Sequence, residues 1–358
     1  MRICIGGDIS IKEDCWELFE KGDEKALFSN VIDALKTADR VVVNLECAIT
    51  EANTPIEKIG PNLKAPLNTA KVLKNIGVTD CILSNNHIFD YGKTGAISTI
   101  NELEKYGISY TGFGKNELDS RKNHIITDGK IKVAVIAVCE HEYSYALENH
   151  MGARPYDPYD TNEDIEEAKK NADYVIVTYH GGKEDCRYPS PRLLKACRSM
   201  VKHGADLVLC QHSHAIGCYE KFLSGHILYG QGNFHFVSKK FENRADGGYM
   251  WNTGLLAVVD ISDKLEVSFL PTVVDGCGIR LTNENETEKI MGELSARNEE
   301  LKSGAWREKW REFAFSQPRY KIVPPELYEE IAHFLDCEAH TDVCREIYQT
   351  LNHKNELE

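Results

Sequence analysis

Five apolar runs in this chain each end at a residue able to bind a metal ion or move a proton. Ile3-Cys4-Ile5-Gly6-Gly7 leads into Asp8, Val41-Val42-Val43 into Asn44-Leu45-Glu46, and Cys81-Ile82-Leu83 into Ser84-Asn85-Asn86-His87. Tyr174-Val175-Ile176-Val177-Thr178-Tyr179 leads into His180, and Leu207-Val208-Leu209-Cys210 into Gln211-His212-Ser213-His214. Short continuous runs of this kind read as buried strands. As strands of one sheet they bring their carboxyl ends to one edge, the place where open α/β sheets bind ligands.

The segments between the runs support an α/β class. Residues 25–36 read as a helix, with Ala26, Leu27, Val31, Ile32 and Leu35 at helical spacing. Residues 68–76 follow, with Asn68 or Thr69 as start and Gly77 as stop, then 94–106, ended by Gly107. Strands at 40–44, 80–83, 109–112, 132–138, 174–179 and 207–211, with helices at 161–171 and 190–203, give a βαβ rhythm and a parallel sheet. Residues 47–66 are irregular, broken by Pro55, Gly60, Pro61 and Pro66, and a loop this long is functional or disordered. Its Lys58 and Lys64 read as solvated surface lysines, with a grip on substrate carboxylates as the alternative. After about residue 225 the rhythm changes. Strands at 226–236, 253–261 and 265–270, with a turn at Ser262-Asp263-Lys264, predict a second, mostly antiparallel sheet. From about residue 283 the chain is charged and helical. Trp306, Trp310 and Phe313, at i, i+4, i+7, predict a face that docks on the core.

The 358 residues suffice for one large domain with an appendage, divided as 1–275 and a helical extension, 283–358. A net charge of −14 without a basic stripe argues against nucleic-acid partners. Of the 12 cysteines, Cys4, Cys81, Cys139 and Cys210 lie in apolar runs and read as small buried hydrophobes. No C-x-x-C pair occurs, so a cysteine zinc ribbon or thioredoxin-type site is not expected and a reduced, cytoplasmic setting is. The amino terminus has no secretory apolar region, and no stretch reaches the ~20 apolar residues of a membrane span.

The polar ends of the strands carry the chemistry. His212 and His214, two apart after a strand, face the same way. His180 precedes Gly181-Gly182, which allow close backbone approach to a ligand, though a hydrogen-bonded turn histidine is the plainer reading. Asp8 suits a metal site or a helix N-cap. Glu46 needs a partner if its strand end is buried. Asn86 offers a carbonyl oxygen, His87 an acid or base, and Asp90 a hydrogen bond to the His87 ring; an Asx-turn is the alternative for this stretch. Mixed nitrogen and oxygen donors suit Mn, Fe, Zn or Co rather than Ca. Two ions sharing a bridging carboxylate would use them all.

In this order the motifs resemble those of the bacterial capsule-synthesis (CapA-type, poly-γ-glutamate synthesis) family, a branch of the calcineurin-like metallophosphoesterase superfamily. Gly7-Asp8, Asn44-Leu45-Glu46, Asn85-Asn86-His87, Asp90-Tyr91-Gly92 and His180-Gly181-Gly182-Lys183-Glu184 carry the resemblance. Gly204-Ala205-Asp206, Gln211-His212-Ser213-His214 and Tyr229-Gly230-Gln231-Gly232-Asn233-Phe234 complete it, over roughly residues 1–275. The resemblance implies a four-layer α-β-β-α sandwich and two divalent ions. Asp8 and His214 would hold one, Asn86, His180 and His212 the other, with Glu46 bridging. His87 would protonate a leaving group, and Glu184 and Asn233 would bind substrate. Two positions depart from the wider superfamily: Ser10 stands where a histidine is usual, and Glu46 where an aspartate is. The implied activity is metal-dependent hydrolysis of a phosphoester or related bond in a small molecule or polyanionic polymer. The alternatives are an enzyme acting on a γ-glutamyl or peptide polymer and a non-catalytic accessory protein of capsule synthesis.

Overall fold

The computed structural model describes residues 1–140, 143–317, 324, 327, 331 and 339–344. Residues Met1–Trp310 form one compact unit and Arg311–Glu358 a second. In the second, 311–316 and 339–344 are helical.

Two sheets make the centre of the first unit. The first has the spatial order Gly278–Leu281, Leu265–Asp275, Thr253–Ile261, Arg2–Ile9, Arg40–Leu45, Asp80–Ile82, Ser109–Thr111. It is parallel from Arg2–Ile9 to Ser109–Thr111 and antiparallel on the other side. Asn233–His235 pairs in parallel with the carboxyl end of Arg2–Ile9. The second sheet has the order Tyr219–Phe222, Gly225–Leu228, Leu207–Gln211, Tyr174–His180, Lys132–Cys139, His124–Thr127. Its middle strands are parallel and both edge pairs antiparallel.

Strand alternation explains why the runs are apolar throughout. Ile3, Ile5, Val42 and Ile82 of one sheet share an inner core with Val133, Val135, Ile176, Leu207 and Leu209 of the other. Their neighbours Cys4, Val41, Val43 and Cys81 pack outward against Phe19, Leu27, Phe28, Leu73 and Leu103 of the helical segments on that side. Val175, Val177 and Val208 of the second sheet pack outward against Ile165, Leu193, Cys197 and Met200. Those last residues lie on the helices Pro158–Asn171 and Pro191–Lys202, each begun by a capping side chain, Asp157 or Ser190, and a proline at the first turn. The result is helix, sheet, sheet, helix: the four-layer sandwich. Each fully buried Val, Ile or Leu contributes roughly 1.5–3 kcal/mol, so both faces of the strands stabilise it.

The five runs therefore do not share one sheet. Three belong to the first sheet and two to the second, and the polar edge is a seam between the two layers. The strands after residue 225 do not form a sheet of their own. Thr253–Ile261, Leu265–Asp275 and Gly278–Leu281 extend the first sheet, and the 226–236 segment splits, Gly225–Leu228 joining the second sheet and Asn233–His235 the first. A hydrophobic count cannot assign a strand to a layer when both layers are equally apolar. The turn at residues 262–264 lies where expected. The 25–36 helix breaks into Glu24–Phe28 and Val31–Leu35 because Ser29 adopts a left-handed φ of 41°. Glu284–Ser303 starts with a capping box at Asn283 and Glu286 and sends Ile290 and Leu294 into the inner core. Trp306 and Trp310 pack with the Pro191–Lys202 cluster, as their spacing predicts; Phe313 belongs to the second unit. Among the described residues no helix is long and apolar enough to cross a membrane, and every cysteine is free.

Candidate metal centre

The seam is built by close backbone approaches. Asp8 lies in register with Asn44 on one side and Asn233 on the other. A Cβ on Gly7 would sit 2.1 Å from the Gly232 carbonyl oxygen, so glycine is needed there for the Asn233–His235 strand to pass. His212 and His214 have left-handed φ values of 80° and 51°. That conformation costs a non-glycine residue on the order of 1–3 kcal/mol and persists only where the surroundings enforce it, as functional sites often do. Here the His212 N–H donates to Asp8 Oδ2 at 3.0 Å, and Trp251 stacks on the His214 ring at 4.1 Å between centroids.

All six donor residues converge. Glu46 Oε1 lies 3.4 Å from His180 Nε2, 3.9 Å from His214 Nε2 and 4.0 Å from His87 Nε2. His180 Nε2 lies 2.9 Å from Asn86 Oδ1 and 3.2 Å from His212 Nδ1. Asp8 Oδ2 lies 3.4 Å from His214 Nδ1. Ligand atoms of Glu46, His180 and His212 fall within 4.8 Å of one another, as do those of Asp8, Glu46 and His214. Donors about 2.1 Å from a shared ion are themselves roughly 3–3.5 Å apart, so the spacing fits. The stronger test is Glu46 itself. Both its carboxylate oxygens are buried without a hydrogen-bond partner. A buried carboxylate left in that state is costly, and a cation among nitrogen and oxygen donors removes the cost. The residues fit one or two divalent ions.

The electrostatics agree. Burial, then the neighbouring Asp8 charge, pushes the Glu46 carboxyl up to about 7. For Asp8, burial works the other way from its neighbours; His214, His180 and Asn44 outweigh it and hold the carboxyl down at about 2. Burial also disfavours charged His214, yet Glu46 and Asp8 prevail and raise it to about 9. Glu184 is half-buried; burial raises its carboxyl, but the histidines 212 and 214 and Lys183 overcome this and lower it.

Beside the donors, His87 Nδ1 lies 2.7 Å from Asp90 Oδ2, which leaves Nε2 facing Glu46. Asn85 supplies the Asx-type turn: its Oδ1 accepts from the N–H groups of His87 and Ile88, at 3.1 and 3.0 Å. Asn233 Oδ1 lies 2.8 Å from His214 Nδ1, and its Nδ2 donates to the Trp251 carbonyl at 2.9 Å. Ser10 is buried with its hydroxyl unpartnered.

Sequence reasoning missed three participants. Asn44 donates to Asp8 Oδ1 at 2.7 Å and lies 3.0 Å from His180 Nδ1; its place two residues before Glu46 was a usable signal. Trp251 had none. Lys58, read as a solvated surface lysine, is instead buried, its side chain 2% exposed and paired with Asp90. Nothing in a proline-broken loop marks which lysine turns inward. Lys64 ties the loop to itself, donating to the Ala52 carbonyl and to Asn53 Oδ1, both at 2.9 Å.

Comparison with known proteins agrees with the motif order. Residues 2–238 match the family model "Bacterial capsule synthesis protein PGA_cap". The capsule biosynthesis protein CapA of Bacillus anthracis is 30% identical over 245 residues, 66% of this chain and 60% of that one. The PGA biosynthesis protein CapA of Bacillus subtilis is 30% identical over 236 residues, 64% of this chain and 62% of that one. The chain thus spans about three fifths of the length of these two relatives. With its motifs, its four layers and a family match over most of its length, the chain belongs to the bacterial capsule synthesis protein (PGA_cap) family.

Proposed function

We propose that this protein is a metal-dependent hydrolase of a phosphoester or related anionic bond. Asp8 and His214 would hold one divalent ion and Asn86, His180 and His212 the other, with Glu46 available to both. The observation that carries the reading is the fully buried Glu46 carboxylate, which accepts no hydrogen bond where the two donor groups meet, with the Nε2 of His87 facing it at 4.0 Å. Divalent ions in such a site supply Lewis acidity toward an anionic ester and a more acidic attacking water. The protein's own part is positioning and proton transfer. Asp90 takes the His87 Nδ1 proton as a hydrogen bond and holds the ring, so that Nε2 can deliver a proton to a departing oxygen. Asn44 and the His212 N–H fix the two oxygens of Asp8. Asn233 orients His214, and half-buried Glu184, close enough to His212 and His214 to feel their charge, would bind substrate.

The test is turnover of an aryl phosphodiester by protein reloaded with Mn, Fe or Zn after chelation, compared with H87Q. Metal-dependent turnover that collapses in H87Q supports the reading; no turnover with any of the three metals refutes it.

A second substrate class has its own support. Lys12 lies 5.3 Å over the Phe236 ring, and Arg244, which pairs with Asp185, lies 4.7 Å over Trp251, a ring that also meets His214, Phe236 and Phe241. Basic side chains on the aromatic wall suit a carboxylate polymer, and the names of the Bacillus relatives refer to capsule and PGA biosynthesis. Glutamate release from a γ-glutamyl polymer, without phosphodiester turnover, would favour this class.

A further inference from the structure

Lys58 lies within the long segment between Ala48–Ile49 and Lys64–Ala65, two short parallel strands that close its base. Its ammonium donates to Asp90 Oδ1 and lies 3.1 Å from His87 Nδ1 and 3.4 Å from the Asn86 carbonyl oxygen. Asp90 is fully buried, so the pair is desolvated on both sides. Asp90 Oδ2 meanwhile accepts from the Leu63 N–H at 2.6 Å and lies 2.7 Å from His87 Nδ1. The Asp90 carbonyl accepts from the Ile56 N–H at 3.0 Å, and the Ile59 N–H donates to the Tyr143 hydroxyl at 3.1 Å. Loop and dyad are therefore one hydrogen-bonded unit.

An ammonium can only donate. By donating to Oδ1 it keeps Asp90 an acceptor and leaves Oδ2, 2.7 Å from His87 Nδ1, to take that ring N–H. The ammonium's own approach to Nδ1, at 3.1 Å, is the longer contact and favours the other tautomer, so the Asp90 contact decides between them. That choice decides which imidazole nitrogen carries the hydrogen bond and which one faces Glu46.

We propose that Lys58 is a positioning residue: its grip on Asp90 sets the orientation and tautomer of His87 and makes the seating of the 50–63 loop a condition for that arrangement. The role deepens the reading of His87 as proton donor and rests on it. The test uses the full chain, labelled with 15N-histidine and free of metal, with H87Q to assign the His87 signals. Wild type and K58R are expected to show His87 protonated at Nδ1. In K58M the two nitrogens move toward a mixture of tautomers, and the Ile56 and Leu63 amides exchange at least tenfold faster. With a turned-over substrate, K58M lowers kcat about tenfold or more, leaves KM within twofold, and is rescued by K58R. Faster exchange with unchanged His87 signals would mean that Lys58 only ties the loop, and would overturn the proposal. Where K58M does not fold, K58A, which likewise cannot donate to Asp90, is read the same way. The imidazole signals need no substrate, so full activity in H87Q would sink the reading of His87 while the tautomer result still judged Lys58.

Discussion

Replacing Glu46 by Gln is expected to stabilise the metal-free protein while abolishing its response to metal. The Glu46 carboxyl titrates at about 7 against an ordinary 4.5, chiefly because of burial. Each pH unit of displacement is worth about 1.4 kcal/mol, so the ionised carboxylate costs the fold roughly 3 kcal/mol at pH 8. The sign follows from linkage. The folded chain holds this proton more tightly than the unfolded one, so stability is lost as pH rises from about 4.5 through 7. Gln removes the charge but leaves an amide to satisfy among imidazoles and Asn side chains, giving back about 1 kcal/mol. A net gain of roughly 2 kcal/mol should raise the melting temperature by a few degrees at pH 8, whereas near pH 4.5, where the charge cost has nearly gone and the amide's cost remains, E46Q should melt at or slightly below wild type. Calorimetric melting of both proteins in chelator, then with Mn, reads both effects. If E46Q melts below wild type in chelator at pH 8 and keeps the wild-type metal shift, Glu46 is a structural group and the reasoning fails.

Three further outcomes are expected. H87Q should lower kcat by about 10²–10⁴ with metal content unchanged, and least on substrates with the most acidic leaving groups; an equal loss on all leaving groups would exclude proton donation by His87. Glu46 at about 7 and His214 at about 9 must shed protons to ligate, so metal affinity should rise from about pH 6 to pH 9. Calorimetric titrations in buffers of different ionisation enthalpy would show proton release on binding, and its absence would count against these ligands. The site built from Asn86, His180 and His212 should fill before the Asp8 site, because it offers more neutral nitrogen donors; filling in the opposite order in H212A and D8N titrations would refute this.

Much of the candidate site was legible because the side chains that converge there sit at strand ends, where apolar runs stop abruptly. Asp8, Glu46, Asn86, His180, His212 and His214 needed only that cue and the motif order. The layer assignment was not legible. Ile5 and Ile176 are equally apolar and share one core, yet belong to different sheets, and nothing local distinguishes them. Lys58 escaped for a related reason. Its burial depends on Asp90, a partner far along the chain, and not on its own neighbours. Trp251 is similar, since its stacking on His214 comes from a segment whose composition reads as an ordinary loop.

The seam also has a temporal side. Asp8, Glu46 and Asn86 leave the ribosome long before His180, His212 and His214. Until about residue 214 has emerged, neither ligand group is complete, so the amino-terminal layer must hold three inward-facing polar groups together without the counter-charge that later neutralises them. An ion bound between the layers would thus act as a late rivet: the two halves of the site are made in sequence and would be locked in register only once the second has emerged.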